Sequence, residues 1–253
     1  IGSLLIGLNF AKGLSVGLKI PLIGVNHLEG HLVSNLINKN NIIHPYLCLL
    51  VSGGHTQIFL VDKNIYKMIS NTVDDAAGEA FDKGAKILGL NYPGGPEIEQ
   101  KACSGNIEKY NFTIPIVKSN PLNFSFSGLK TALLYKVKSL SKKQLNQNIN
   151  DICASYQETI IDTLFDKLQL ALTIHNVKNI SIVGGVSVNK RFRVKAKKFM
   201  IKHLVNIEFP DFEYCTDNAA MIAISGYYKY LKKKFANQNT IPFARFPLSH
   251  ENI

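Results

Sequence analysis

Hydrophobic and polar positions alternate along this chain with two periods, and the changes of period mark its elements. Residues 3–19 form an apolar, small-residue-rich stretch with helical spacing, carrying Gly7, Gly13 and Gly17. Pro21 to Val25 reads as a short buried strand. Asn26 is placed to cap a helix from His27 to Asn38. Leu47 to Val51 is a continuous apolar run that stops at Ser52-Gly53-Gly54. His55 to Val61 then returns as a second strand, and Ile65 to Thr72 as a third. Asp74-Asp75 opens a helix to about Leu88, where acidic residues suit the helix dipole. Asn91 to Pro96 is a stiff turn leading into a helix near Glu97, and Pro115 to Phe126 is loop-like. Helices follow over Gly128–Leu140 and Gln144–His175. Ile180–Val183 is a strand whose Gly184-Gly185 turn leads to a helix over Asn189–Met200. Val205–Phe209 is a strand, and Asp217–Lys233 a helix. Hairpins and glycine turns feeding helices predict an α/β fold.

Composition narrows this picture. The 253 residues suffice for one large domain or two small ones, and 19% charged residues argue against disorder. A net charge of +11 suits a polyanionic partner, although Lys, Asn and Ile are frequent throughout and also read as compositional bias. Cys48, Cys103, Cys153 and Cys215 form no C-x-x-C pair, so a zinc knuckle or disulfide framework is not expected and a cytoplasmic setting is. The apolar start is broken by Lys12 and reads as neither signal peptide nor membrane span. It also opens without Met inside a helical stretch, which suggests a piece of a longer protein.

Candidate chemistry sits in six segments. In His27-Leu28-Glu29-Gly30-His31 the histidines are four residues apart, on one helical face, and can share a metal. Two ordinary helix histidines would have the same spacing. A zinc protease needs its Glu beside a ligand histidine, whereas Glu29 lies two residues from each and points off that face. Val51-Ser52-Gly53-Gly54-His55 offers backbone donors to a phosphate or carboxylate, or is a plain hairpin turn. In the segment from Asp74 to Lys83, Asp75, Glu79 and Asp82 share a face that suits ribose hydroxyls, a metal or water. Tyr92 to Pro96 is a loop where a ligand ring can touch backbone. Gly184 to Asn189 has the form of a nucleotide cradle. In the segment from Tyr214 to Met221, Asp217 is expected at a helix N-cap and is also the best carboxylate to complete the two histidines.

Taken together these segments resemble one family, the TsaD/Kae/Gcp enzymes. These are tRNA N6-adenosine threonylcarbamoyltransferases with an actin-like ATPase (sugar kinase and Hsp70-like) fold. N-H-L-E-G-H, V-S-G-G-H-T-Q, D-D-A-A-G-E-A-F-D-K, Y-P-G-G-P, F-S-F-S-G-L-K and Y-C-T-D-N-A-A-M-I-A occur in the family's order. The resemblance implies that His27, His31 and Asp217 hold one divalent metal, Fe(2+) or alternatively Zn(2+). It implies that Leu50, Val51, Ser52, Gly53 and Gly54 hold threonylcarbamoyl-AMP. Asp82, Gly95 and Glu99 would contact its nucleoside and Asn189 its adenine side. No covalent nucleophile is expected. Implied partners are tRNA, an inactive paralogue subunit and a small ATPase helper, with no membrane. The family also implies two subdomains: residues 1–24 as a remnant of the first, to which 243–253 return, and 25–242 as the metal- and nucleotide-binding part. A metalloprotease-type hydrolase and an inactive truncated scaffold are the competing expectations. Lys195, Lys197, Lys198 and Lys232 to Lys234 are expected to face tRNA or, equally, solvent.

Overall fold

A computed structural model describes residues 2–37, 42–63, 65–114 and 117–243. At its centre is a five-stranded sheet of order β3-β2-β1-β4-β5. The strands are β1 (Tyr46–Val51), β2 (Thr56–Asp62), β3 (Ile65–Asn71), β4 (Asn179–Val183) and β5 (Asn206–Glu208). β1 is antiparallel to β2 and parallel to β4, and β4 is parallel to β5.

The unbroken apolar run of β1 follows from its central place, because a strand covered on both faces has no polar side. Leu47, Leu49 and Val51 point into a core built with α3 (Ala77–Ile87), α4 (Gly94–Ala102), α5 (Ser127–Lys138), α6 (Lys142–His175) and α7 (Lys190–His203). Tyr46, Cys48 and Leu50 point to the opposite face, into a smaller core with Leu28 and Leu32 of α2 (His27–Val33). Ile224 of α8 (Ala219–Leu231) packs against that core.

The elements expected from periodicity are present, with informative differences. Pro21–Val25 is not a buried strand: Leu22 makes one bridge to Ala236, and its neighbours remain partly or fully exposed. Among the described residues no second strand lies beside this segment to continue the ladder. The α2 helix gives way to a 3-10 turn at Ser34–Leu36, and Asn38 lies outside the described residues. The helix expected from Asp74 starts later, at Ala77, because both aspartates serve other partners. The chain returns to the first residues earlier than 243. Ala236 N–H donates to the Leu22 carbonyl at 2.7 Å, and Gln238 donates to Ser15 Oγ at 3.0 Å. Residues 244–253 lie outside the described part. The first helix, α1 (Gly2–Leu18), is largely exposed, with Ile6 at 73% and Phe10 at 69%. No helix among the described residues is long and apolar enough to cross a membrane.

One carboxylate locks the loop 117–126 to the sheet side. Asp74 accepts from Phe126 N–H at 2.7 Å, Ser127 N–H at 3.2 Å, Ser125 Oγ at 2.5 Å and Ser127 Oγ at 2.8 Å. It thereby caps α5 from another part of the chain, where a negative charge meets the positive helix end. Burial alone would push its carboxyl up, but the four hydrogen bonds together hold it below the ordinary carboxylate value. Asp74→Ala is expected to cost about 2–4 kcal/mol in urea unfolding at neutral pH. The folded pKa is depressed, so this stabilisation is present above the unfolded value and fades as the pH falls through the folded one. The gap between wild type and variant should therefore shrink in acid. A gap that is constant with pH would contradict the charged clamp.

Candidate metal centre and ligand cleft

The five residues of His27 to His31 divide their tasks. Asn26 caps α2, its Oδ1 accepting from Leu28 N–H at 2.8 Å. Leu28 enters the smaller core. Glu29 is buried and pairs with Lys229 of α8 at 2.9 Å. Gly30 lies where a Cβ would meet Ile222 Cδ1 at 3.1 Å and Met221 Cγ at 3.3 Å, so α2 approaches α8 closely enough there that any side chain would require these neighbours to shift. That leaves His27 and His31, stacked edge to face with ring centroids 4.8 Å apart. Glu29 is thus off the histidine face, as its spacing predicted. It is an internal strut, not a base beside a metal-bound water.

Asp217 completes the group. Its Oδ1 lies 3.0 Å from His31 Nε2 and 3.5 Å from His27 Nε2, and one ligand atom from each residue lies within 4.8 Å of the others. The expected N-cap role of Asp217 is corrected. Asn218 caps α8, accepting from Met221 N–H at 2.9 Å, while its Nδ2 donates to the Thr216 carbonyl at 2.7 Å. Because the neighbour takes the cap, the Asp217 carboxylate remains available to the histidines. His31 is 2% exposed and Asp217 74%, so the group is anchored on one side and open on the other. Burial, then His27, push the His31 imidazole below its ordinary pKa despite the attraction of Asp217. A neutral ring is the form that ligates metal. Two imidazole nitrogens and one carboxylate with open positions fit Fe(2+) or Zn(2+).

The two glycine turns lie side by side because β1 and β4 are parallel and in register, Leu50 opposite Val183. Both strands therefore release their turns at the same edge, where parallel sheets receive ligands. Leu50 and Val51 are fully buried, whereas Gly53 and Gly54 are exposed, with nothing within 4 Å of a Cβ on either. Gly184, at φ +96°, lies directly against the Val51 carbonyl, and Gly185 faces Thr216 Cγ2 at 3.7 Å, next to Asp217. Gly78 donates to the Ser52 carbonyl at 3.2 Å, and a Cβ there would strike that oxygen at 2.6 Å. The first turn of α3 is thus pressed onto the Ser52-Gly53-Gly54 loop. Ala77 N–H adds a bond to Thr56 Oγ1 at 2.8 Å.

The circuit continues around the far wall. Asp82 Oδ1 accepts from Gly94 N–H at 2.8 Å, tying the Tyr92–Pro96 loop to α3, while Gly95 faces open space. Glu99 Oε1 accepts from Lys190 N–H at 2.6 Å. Asn189 is buried; its Oδ1 accepts from Phe192 N–H at 2.9 Å and its Nδ2 donates to Gln157 at 2.7 Å. Asp82 and Glu99 each make one such side-chain bond to the frame and Asn189 makes two, so these three hold the wall. Gln157 was missed by sequence reasoning, since nothing marks it within the 34-residue helix α6. The shared acidic face of α3 is corrected. Asp75 and Glu79 both pair with Lys83, at 2.6 and 2.7 Å, while Asp82 holds the Gly94 N–H. On α7, Lys195 pairs with Glu158 at 2.8 Å and also with Asp162, while Lys197 and Lys198 are exposed.

Comparison with known proteins bears on this arrangement. The family model of TsaD, tRNA N6-adenosine threonylcarbamoyltransferase, matches residues 1–224. The chain belongs to this family. Its members are acyl-group transferases that modify tRNA. The enzyme of that name from Thermosipho africanus is 48% identical over 95% of this chain and 72% of its own length. That of Christiangramia forsetii is 47% identical over 97% and 74%. Among solved structures, T. kodakarensis HypF aligns over 89% of this chain and 39% of its own, with TM-score 0.68 at 14% identity. A full-length HypF in its phosphate- and nucleotide-bound form aligns over 86% and 44%, with TM-score 0.64 at 14% identity. The fold of this TsaD-family chain is accordingly of the actin-like ATPase kind.

The Glu29–Lys229 pair offers a direct test of how the histidines are held. Lys229→Met strands a buried carboxylate and is expected to cost about 3–5 kcal/mol, read from the denaturant midpoint. The double variant Glu29→Leu/Lys229→Met should recover most of that loss. A single variant as stable as wild type would show that the pair does not hold α2 on α8.

Proposed function

We propose that this chain transfers the threonylcarbamoyl group of threonylcarbamoyl-AMP to the N6 amine of the adenosine beside the anticodon, in tRNAs reading codons that begin with A. Family membership supports the reaction class. The observation that supports the finer reading is the convergence of His27, His31 and Asp217 next to Thr216, which Gly185 faces in the turn that leaves β4 beside β1. His27, His31 and Asp217 would hold the metal, Fe(2+) with Zn(2+) as the alternative, which supplies a positive centre for charge developing on the anhydride oxygens.

The remaining roles belong to the chain's own groups. Exposed amides at Gly53 and Gly54 offer donors to the phosphate or carboxylate of the substrate. Gly78 keeps that loop in place by its contact with Ser52. Gly95 and Asp82 border the nucleoside, with Glu99 and Asn189 fixing the wall beside it. The amine nitrogen attacks the carbamoyl carbon, the bond from that carbon to the phosphate oxygen breaks, the amine gives up a proton, and AMP leaves. Rate then comes from orientation and exclusion of water. No covalent enzyme intermediate is required. Burial pushes the Cys48 and Cys153 thiols up to about 12, which keeps them protonated. The family resemblance supports an inactive paralogue subunit and a small ATPase as helpers.

His27→Ala and Asp217→Ala are each expected to lose most bound metal and at least about 100-fold in transfer, the upper end of what loss of an outer-shell partner costs. Metal content is read on the purified variant and transfer on unmodified tRNA with the helpers present. Metal retained in full by either variant would refute the ligand assignment. Wild-type protein that binds nucleotide yet transfers nothing would instead be the inactive scaffold.

A further inference from the structure

Positive charge is not spread evenly along this chain. Two stretches carry positive charge without a single Asp or Glu: Lys167 to Ile207, with nine Lys and Arg in 41 residues, and Lys109 to Asn150, with seven lysines in 42. Most of the latter folds into α5 and the start of α6. Lys130, Lys136 and Lys138 lie on α5, and Lys142 and Lys143 open α6. Among the described residues, Lys136, Lys138, Lys142 and Lys143 make no ion pair, whereas Lys109 meets Asp151 at 2.6 Å. On α7, Arg191 and Lys195 are paired with Glu158, whereas Lys197 and Lys198 make no ion pair among the described residues.

The same face carries a cleft of about 480 Å³ between residues 109–113 and the second half of α5. That volume is in the range of small-ligand sites. Lys109, Tyr110, Asn111, Tyr135 and Lys136 line it. Lys136 Nζ lies 4.6 Å from the centroid of the Tyr110 ring, which steadies both groups. Tyr135 is 68% exposed, an uncovered ring beside unpaired ammonium groups. Flat rings beside the unpaired Lys136, with Asp151 taken up by Lys109, form a combination that can hold a nucleic-acid strand: stacking for bases, charge for the backbone. The cleft is also placed to serve the proposed site. Ser127, at the start of α5, is held by Asp74, beside the segment that carries α3 onto the Ser52-Gly53-Gly54 loop. Lys136 is nine residues further along α5, about 13 Å at the helical rise.

We infer that this cleft and the lysines around it are the main tRNA-holding surface of the chain, gripping the strand outside the nucleotide that enters the reaction centre. The inference rests on the tRNA transferase reading. It places the main contact on α5 and the start of α6 rather than at the expected Lys195, Lys197, Lys198 and Lys232 to Lys234.

The test uses the full chain and an unmodified tRNA transcript, with affinity measured across a salt series. Lys136→Gln/Lys138→Gln is expected to weaken binding by about 10–100-fold and to lower the slope of log affinity against log salt by about 2. Tyr135→Ala is expected to lose roughly tenfold, and Tyr135→Phe, which keeps the ring, to retain wild-type affinity. The control pair Lys197→Gln/Lys198→Gln should leave both affinity and slope unchanged. Metal content and unfolding midpoint should not move in any of these variants. If wild type binds and modifies tRNA while the Lys136/Lys138 pair behaves like it, this surface is wrong and the transferase reading stands. If the control pair loses as much as the test pair, the lysines act as undirected charge and the assignment fails. If wild type does not bind tRNA, both readings fall.

Discussion

The in-register parallel pairing of β1 with β4 is the constraint on which the rest of this structure depends. Leu50 lies opposite Val183, so both strands end at one edge and release Ser52-Gly53-Gly54 and Gly184-Gly185 side by side. A shift of one residue would turn every side chain of β1 to the other face and exchange the two cores. Once the register is set, close backbone contacts settle the turns. Gly184 meets the Val51 carbonyl in a conformation that a side chain rarely adopts, and Gly78 meets the Ser52 carbonyl where a Cβ has no room. Glycines that face open space, at 53, 54 and 95, stand among these packed ones. The former leave a ligand access to backbone, and the latter hold the wall still.

The metal centre depends on a second contact, between α2 and α8. A seven-residue helix is too short to be stable alone. It is held by Leu28 and Leu32 in the core, by the close approach at Gly30, and by the buried Glu29–Lys229 pair. These contacts hold the helix so that His31 is buried while His27 stays half exposed. Asn218 does the corresponding work on α8 by taking the cap position. The ligand set is thus positioned by neighbours with no ligand role, the arrangement expected where donor atoms must converge on one point.

Electrostatics separates the two sides of the molecule's charge. Arg191 and Lys195 on α7 are matched by Glu158, whose carboxyl is raised by burial yet held below its ordinary value by these two partners. The lysines of α5, like Lys197 and Lys198 of α7, have no such partners among the described residues. Charge that is paired within the fold contributes to packing, and charge left unpaired is available to a polyanion. Net charge by itself does not distinguish the two.

Much of this was legible from residue order. The alternation of apolar positions marked the strands, and the run of β1 marked its centrality, because burial on both faces removes polar positions. The four-residue spacing of His27 and His31 fixed their common face, and the offset of Glu29 kept it off that face, because a helix turns by about 100° per residue. The motifs and their order carried the family. Tertiary structure alone decided that Asp217, 186 residues beyond His31, meets it, and that Asn218 rather than Asp217 caps α8. It also decided that Asp75 and Glu79 are neutralised by Lys83, that Gln157 backs Asn189, and which lysines are left unpaired. Local spacing dictates which face a residue occupies. Which distant group meets that face follows from the packing of the whole sheet and its helices.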